Sequence, residues 1–167
     1  MRVGKICVIL YSSGKTVEDL MEDEKVKKFK APKILWISRH RPLEAQIDYI
    51  AKKLDQFAIV IYDKPLATAE DAIKLVREFD AQYVVPVLPL SFIIRLIERA
   101  KKCGFTVLRA EMENIHNCKE VPCPDYVEYS DVIMESRDLT TGEKIHRHFR
   151  FKWFEVLEDV KIVSRRW

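Results

Sequence analysis

The sequence predicts an α/β protein with a Rossmann-like, doubly wound, mostly parallel sheet and a C-terminal β-hairpin. Apolar runs recur at 5–11, 33–38, 57–63, 83–89 and 105–111, each bounded by turn residues. Segments with helical apolar spacing fill the gaps between them. Strands this uniformly apolar need cover on both faces, and right-handed crossover helices supply it in a parallel sheet.

KICVILY (5–11) reads as a buried strand closed by Ser12-Ser13-Gly14, after which Thr16 is placed to cap a helix running to about Lys28. KILWIS (33–38) is the second strand, with Pro42 opening a helix that carries Leu43, Ile47, Ile50, Ala51 and Leu54 on one face. FAIVIYD (57–63) is the third. Thr68 and Asp71 have capping-box spacing at the head of a helix to Phe79. YVVPVLP (83–89) is followed by a helix that Gly104 ends, and FTVLRAE (105–111) by a change of pattern. Pro86 removes a ladder donor, so its strand is bulged there or needs no donor.

Residues 1–111 are thus β-α repeats and 112–126 a Cys/Pro loop. Residues 127–167 form a hairpin around Leu139-Thr140-Thr141-Gly142, with a last edge strand at 159–165. If those four residues are the loop, Asp138 faces Glu143, Glu135 faces His146 and Asp131 faces Arg150.

The 167 residues suit one domain, and 48% hydrophobic content excludes a disordered chain. No apolar run reaches the roughly 18 residues of a membrane span. Met1–Tyr11 has no small-residue cleavage site, so a cytoplasmic location is expected. The net charge of +3 means that any phosphate-binding surface must come from local clustering. Five Asn and Gln against 55 charged residues suit a thermophile with surface ion-pair networks.

Ligands of open parallel sheets bind beyond the carboxyl ends of the strands, where helix N-termini offer free N–H groups. The corresponding loops hold Ser12, Ser13, Gly14 and Lys15; Ser38, Arg39, His40 and Arg41; Asp63 and Lys64; and Ser91. Hydroxyls, cations and one imidazole suit a phosphate-bearing ligand, with His40 able to move a proton. Any one of these residues is equally explained by solvation or helix capping; the cluster outweighs its members. Gly14-Lys15-Thr16 is not a phosphate-binding NTPase loop, because Ile9 stands where that motif needs glycine, and no dinucleotide fingerprint follows any strand.

His116, Cys118 and Cys123, with His146 or His148, offer thiolate and imidazole groups, but the short cysteine spacing of common zinc motifs is missing. A local disulfide or two free thiols is the favoured reading, and neither metal nor cofactor is expected. Lys144, His146, His148, Arg150 and Lys152 form a cationic row open to nucleic acid or a partner; facing Asp131 and Glu135 weigh against free cations there.

Three short motifs carry a family resemblance. One is the strand into Ser38-Arg39-His40 with Pro42 and a helix behind it. The others are Val87-Leu88-Pro89-Leu90-Ser91 and His146-Arg147-His148-Phe149-Arg150-Phe151. In these the chain resembles the small standalone ring nucleases of type III CRISPR systems, which are related to cyclic oligoadenylate-binding CARF domains. It departs from the most compact members in having an extra element pair before Ser38 and the cysteine-bearing loop. The resemblance implies antiviral defence and metal-independent cleavage of a cyclic oligoadenylate through attack by its own 2′-hydroxyl. His40 would then be acid or base, Arg39 and Lys15 would stabilise charge, and Ser12, Ser13, Ser38 and Ser91 would hold oxygens. A symmetric ring further implies a homodimer. A non-catalytic nucleotide sensor and an adaptor using the basic hairpin are the alternatives.

Overall fold

In a computed structural model, which describes residues 4–118 and 120–167, the chain forms one eight-stranded mixed sheet with four helices. The first three residues of the segment read as lacking a leader lie outside that description. The strands are β1 (Lys5–Ser12), β2 (Lys15–Glu22), β3 (Lys33–Ile37), β4 (Gln56–Tyr62), β5 (Tyr83–Pro86), β6 (Thr106–Cys118), β7 (Asp131–Arg137) and β8 (Lys144–Val156). The helices are α1 (Asp23–Lys27), α2 (Glu44–Ala51), α3 (Ala69–Glu78) and α4 (Leu90–Cys103). None of them is long and apolar enough to cross a membrane.

Strand order is β2-β1-β4-β3-β5-β6-β8-β7. The central four strands are parallel, as their apolar runs require. The outer pairings are all antiparallel, so the sheet is mixed and not mostly parallel.

The largest departure from expectation is at the N-terminus. Residues 15–22, expected to be helical, form β2, which pairs with β1 from Lys5↔Glu22 to Ser12↔Lys15. Local geometry decides this. Ser13 and Gly14 both have positive φ (52° and 76°), the two-residue turn whose twist matches a hairpin. Once that turn forms, β1 supplies an unpaired edge and β2 fills it. Only the end of the expected helix survives, as α1, which buries Val26.

Alternating side chains of the central strands enter two cores. Leu35, Ile37 and Val60 join Ala72, Val76, Leu96 and Ile97 of α3 and α4 on one face. Ile34, Trp36, Ile59 and Ile61 join Ile50 of α2 on the other. Each Val, Leu or Ile side chain among them contributes about 1.5–3 kcal/mol when fully buried.

Several local signals are realised as read. Thr68 Oγ1 accepts from Asp71 N–H (3.2 Å) and Asp71 Oδ2 from Thr68 N–H (3.0 Å). Gly104 ends α4 in the left-handed region. Pro86 is the last residue of its strand, and the next donor, Val87 N–H, reaches Ile37 O at 2.8 Å. Pro42 precedes α2 instead of lying in its first turn.

The C-terminal hairpin has the expected register: Asp131↔Arg150, Glu135↔His146, and Asp138 N–H bonded to Glu143 O. The Cys/Pro loop is shorter than 112–126, because β6 continues to Cys118, and no strand forms at 159–165. β6 extends because β8 offers it a long antiparallel partner, with one extra residue at Lys152 and another at Ile115. The break at Lys152 lets both Phe151 and Phe154 pack edge-on against Tyr49 of α2.

Because 15–22 is an edge strand with Leu20 facing solvent (63% exposed), Leu20→Asp should change stability by no more than about 0.5 kcal/mol. Leu35→Ala, in the fully buried centre, should cost about 2–5 kcal/mol. Urea unfolding of the two variants measures both, and a large loss for Leu20→Asp would restore the helix.

Candidate functional site

The parallel strands β4, β3 and β5 end together, and their following loops wall a cleft of about 210 Å³. Ser38 and Arg39 come from the end of β3, Tyr62, Asp63 and Lys64 from β4, and Val87 and Leu88 from β5. The chain leaves β3 toward one neighbour, β4, and the crossover through α3 returns it past β3 to β5. The loops after β3 and β5 therefore lead to helices on opposite faces, and a crevice opens between them.

The loop after β3 is built by its own polar groups. Ser38 is buried; its N–H bonds to Tyr62 O (3.2 Å) and its Oγ accepts from His40 N–H (3.0 Å). Trp36 Nε1 donates to His40 O (2.9 Å), so both backbone polar groups of His40 are engaged while its side chain stays exposed. Arg39 and Lys64 are exposed and, among the described residues, form no ion pair, although the Asp63 carboxylate shares their cleft. Arg41 differs, because Glu18 of β2 pairs with it: the guanidinium holds the Glu18 carboxyl below its usual range, and the carboxylate raises Arg41.

The two adjacent helix N-termini are unequal. At α2, Leu43 N–H bonds to Gln46 Oε1 (2.8 Å) and Ala45 N–H to Tyr129 O (3.0 Å), which closes that end. At α4 the N-cap is Pro89, with no side-chain cap, and Ser91 lies exposed in the first turn. Ser91 is thus beside the cleft and not among the residues lining it.

His40 and Arg41 lie on the other flank of Ser38. With Ser38 they border a largely apolar cleft of about 420 Å³ floored by Trp36, Val85, Leu108 and Phe149. This cleft is not legible in the chain, because its lining comes from strands whose adjacency only the topology creates.

Ser12, Ser13, Gly14 and Lys15 do not join this group. β1 runs antiparallel to β4, with Ser12 opposite Gln56 at the start of that strand. The turn therefore sits at the far end of the sheet, a seven-residue strand or roughly 20 Å away. The expectation that this loop converges with Ser38 rested on β1 being parallel, and the hairpin reverses it.

A second polar cluster lies between the hairpin and the Cys/Pro loop. Asp131, fully buried, accepts from Arg150 Nε (2.8 Å) and Nη2 (2.9 Å), His148 Nε2 (2.6 Å), Ser130 Oγ (2.8 Å) and Val127 N–H (2.9 Å). Burial alone would raise its carboxyl, but these donors outweigh burial and hold it well below the usual carboxylate range. His148 is also fully buried, beside Cys118, Cys123 and His116. Burial and the neighbouring Cys123 push the Cys118 thiol up to about 11. The rest of the cationic row is paired: Lys144 and His146 with Glu135, and Lys152 with Glu113.

Comparison with protein-family models, curated proteins and solved structures finds no match for this chain.

Replacing Arg150 by Ala leaves the Asp131 carboxylate buried without its bidentate partner. Unfolding should become easier by about 3 kcal/mol, and Arg150→Lys should recover only part of this, because an ammonium cannot reproduce the fork. Urea denaturation of the three proteins tests it.

Proposed function

We propose that the chain binds a phosphodiester-bearing nucleotide in the cleft beyond β3, β4 and β5. Following the family resemblance, the ligand is a cyclic oligoadenylate, which the protein cleaves to end a type III CRISPR signal. One observation carries the reading: Ser38, Arg39 and Lys64 converge where the parallel strand order reverses, the position at which doubly wound sheets bind phosphates. Arg39 and Lys64 neutralise phosphate charge, and the Ser38 hydroxyl and the uncapped start of α4 serve its oxygens. Adenine bases suit the apolar cleft on the far side of Ser38.

Cleavage follows if the ring's 2′-oxygen attacks the adjacent phosphorus while the P–O5′ bond breaks. The products are a 2′,3′-cyclic phosphate and a 5′-hydroxyl, with the proton passing from the 2′-oxygen to the 5′-oxygen. His40, held by its backbone beside Ser38, is the group placed to move that proton. A two-fold homodimer presents two such clefts to a symmetric ring. The second reading, binding without cleavage, is favoured by one fact: His40 flanks Ser38 on the side away from Arg39 and Lys64. An adaptor using the basic hairpin has less support, because carboxylates pair most of its cations.

Incubation with cyclic tetra- and hexa-adenylate, without added divalent cations, should yield linear products by chromatography. Arg39→Ala should weaken binding by about 10-fold or more, as for loss of a charge-assisted hydrogen bond. His40→Ala should bind normally but turn over roughly 10²-fold more slowly. Lys15→Ala, at the far end of the sheet, should change neither. Binding without products selects the sensor, and absence of both refutes the proposal.

A further inference from the structure

Next to His40, which shares a cleft with Cys123 and Asp131, β6, β8 and the Cys/Pro loop bring two imidazoles and two thiols to one point. His116 and Cys118 alternate along β6 and share a face. His148 lies directly opposite His116 on β8, and Cys123 folds over from the loop. His116 Nε2 is 3.1 Å from Cys123 Sγ, which is 3.7 Å from His148 Nδ1. The four ligand atoms all fall within 4.8 Å of one another. Metal–sulfur bonds of about 2.3 Å and metal–nitrogen bonds of about 2.0–2.1 Å in a tetrahedron separate ligand atoms by about 3.3–3.8 Å. The cluster is therefore within about 1 Å of a coordination sphere.

The surroundings of His148 point the same way. Its Nε2 donates to Asp131, a carboxylate that is paired with the Arg150 guanidinium and can only accept, which fixes the ring proton on that nitrogen. The Nδ1 lone pair then faces Cys123 in a fully buried place where, among the described residues, no N–H or O–H group donates to it. A carboxylate that orients one imidazole nitrogen so that the other meets a cation is the usual support of a metal-binding histidine. Three of the four ligands are buried, and the set is complete without water.

We propose that His116 Nε2, Cys118 Sγ, Cys123 Sγ and His148 Nδ1 bind one zinc ion in a closed, structural Cys2His2 site. Two thiolates with two imidazoles select zinc over magnesium or calcium, and four protein ligands leave no open position for catalysis. The ion would join the end of β6, the Cys/Pro loop and the middle of β8. The proposal is independent of the nucleotide reading.

The protein, purified in reductant without chelator from zinc-supplemented culture, should carry about one zinc per chain by elemental mass spectrometry. Cobalt substitution should give the intense visible spectrum of a tetrahedral ion with two thiolates. Asp131→Asn should weaken cobalt binding by about 10- to 100-fold, and Cys123→Ser by more. Cys103→Ser, on exposed α4, should bind normally. If Cys123→Ser does not fold, the cobalt spectrum of the unaltered protein still counts its thiolates. The proposal is overturned by a wild-type protein without stoichiometric metal or with a weak six-coordinate cobalt spectrum. Equal binding by folded Cys123→Ser, or a Cys118–Cys123 disulfide in place of the metal, would overturn it as well.

Discussion

The structure depends first on β3 being buried on both faces and paired on both edges. All five of its residues are buried, including Lys33, whose Nζ donates to Lys27 O and whose backbone N–H donates to Gln82 Oε1. A strand so enclosed can release its chain only beyond its carboxyl end, at Ser38. Because its neighbours β4 and β5 are the next two strands in sequence, their connections must pass on opposite faces. The crevice beside Ser38 and Arg39 is a consequence of that constraint and not a local invention of the loop.

The second half of the molecule is held by a different force. β7 and β8 lie at the sheet's edge, where apolar cover is thinner, and a buried carboxylate organises them. Asp131 gathers Arg150 and His148 from the facing strand and Val127 and Ser130 from the incoming loop. Such a cluster is weak evidence for stability, because desolvation offsets much of its attraction, yet it fixes register and imidazole orientation closely. The same loop then docks on α2 through Tyr129, whose hydroxyl bonds to Asp48 and whose carbonyl caps Ala45. One helix N-terminus is thereby closed from within, while that of α4 stays open beside the cleft.

Much was legible in the chain because it is encoded locally. Burial of both strand faces wrote itself into the apolar runs, the capping of α3 into Thr68 and Asp71, and the end of α4 into Gly104. The hairpin register followed from loop length and charge pairing. Ser38, Arg39 and Lys64 could be grouped because parallel strands all end on one side. Where local signals competed, reading failed: residues 15–22 have apolar spacing that suits a helix, but Ser13-Gly14 turns the chain back and β1 offers backbone partners.

By itself, then, the sequence determined the parallel β-α core, the ends of its helices and one wall of the cleft beside Ser38, since each depends on residues adjacent in the chain. Only the tertiary structure decided which loops meet. Reversing β1 moved Lys15 and its neighbours to the opposite end of the sheet. Extending β6 along β8 brought His116 and Cys118 against His148, with Cys123 folded onto them. Both outcomes are set by strand pairing between distant segments, where direction and register, not composition, determine what a side chain faces.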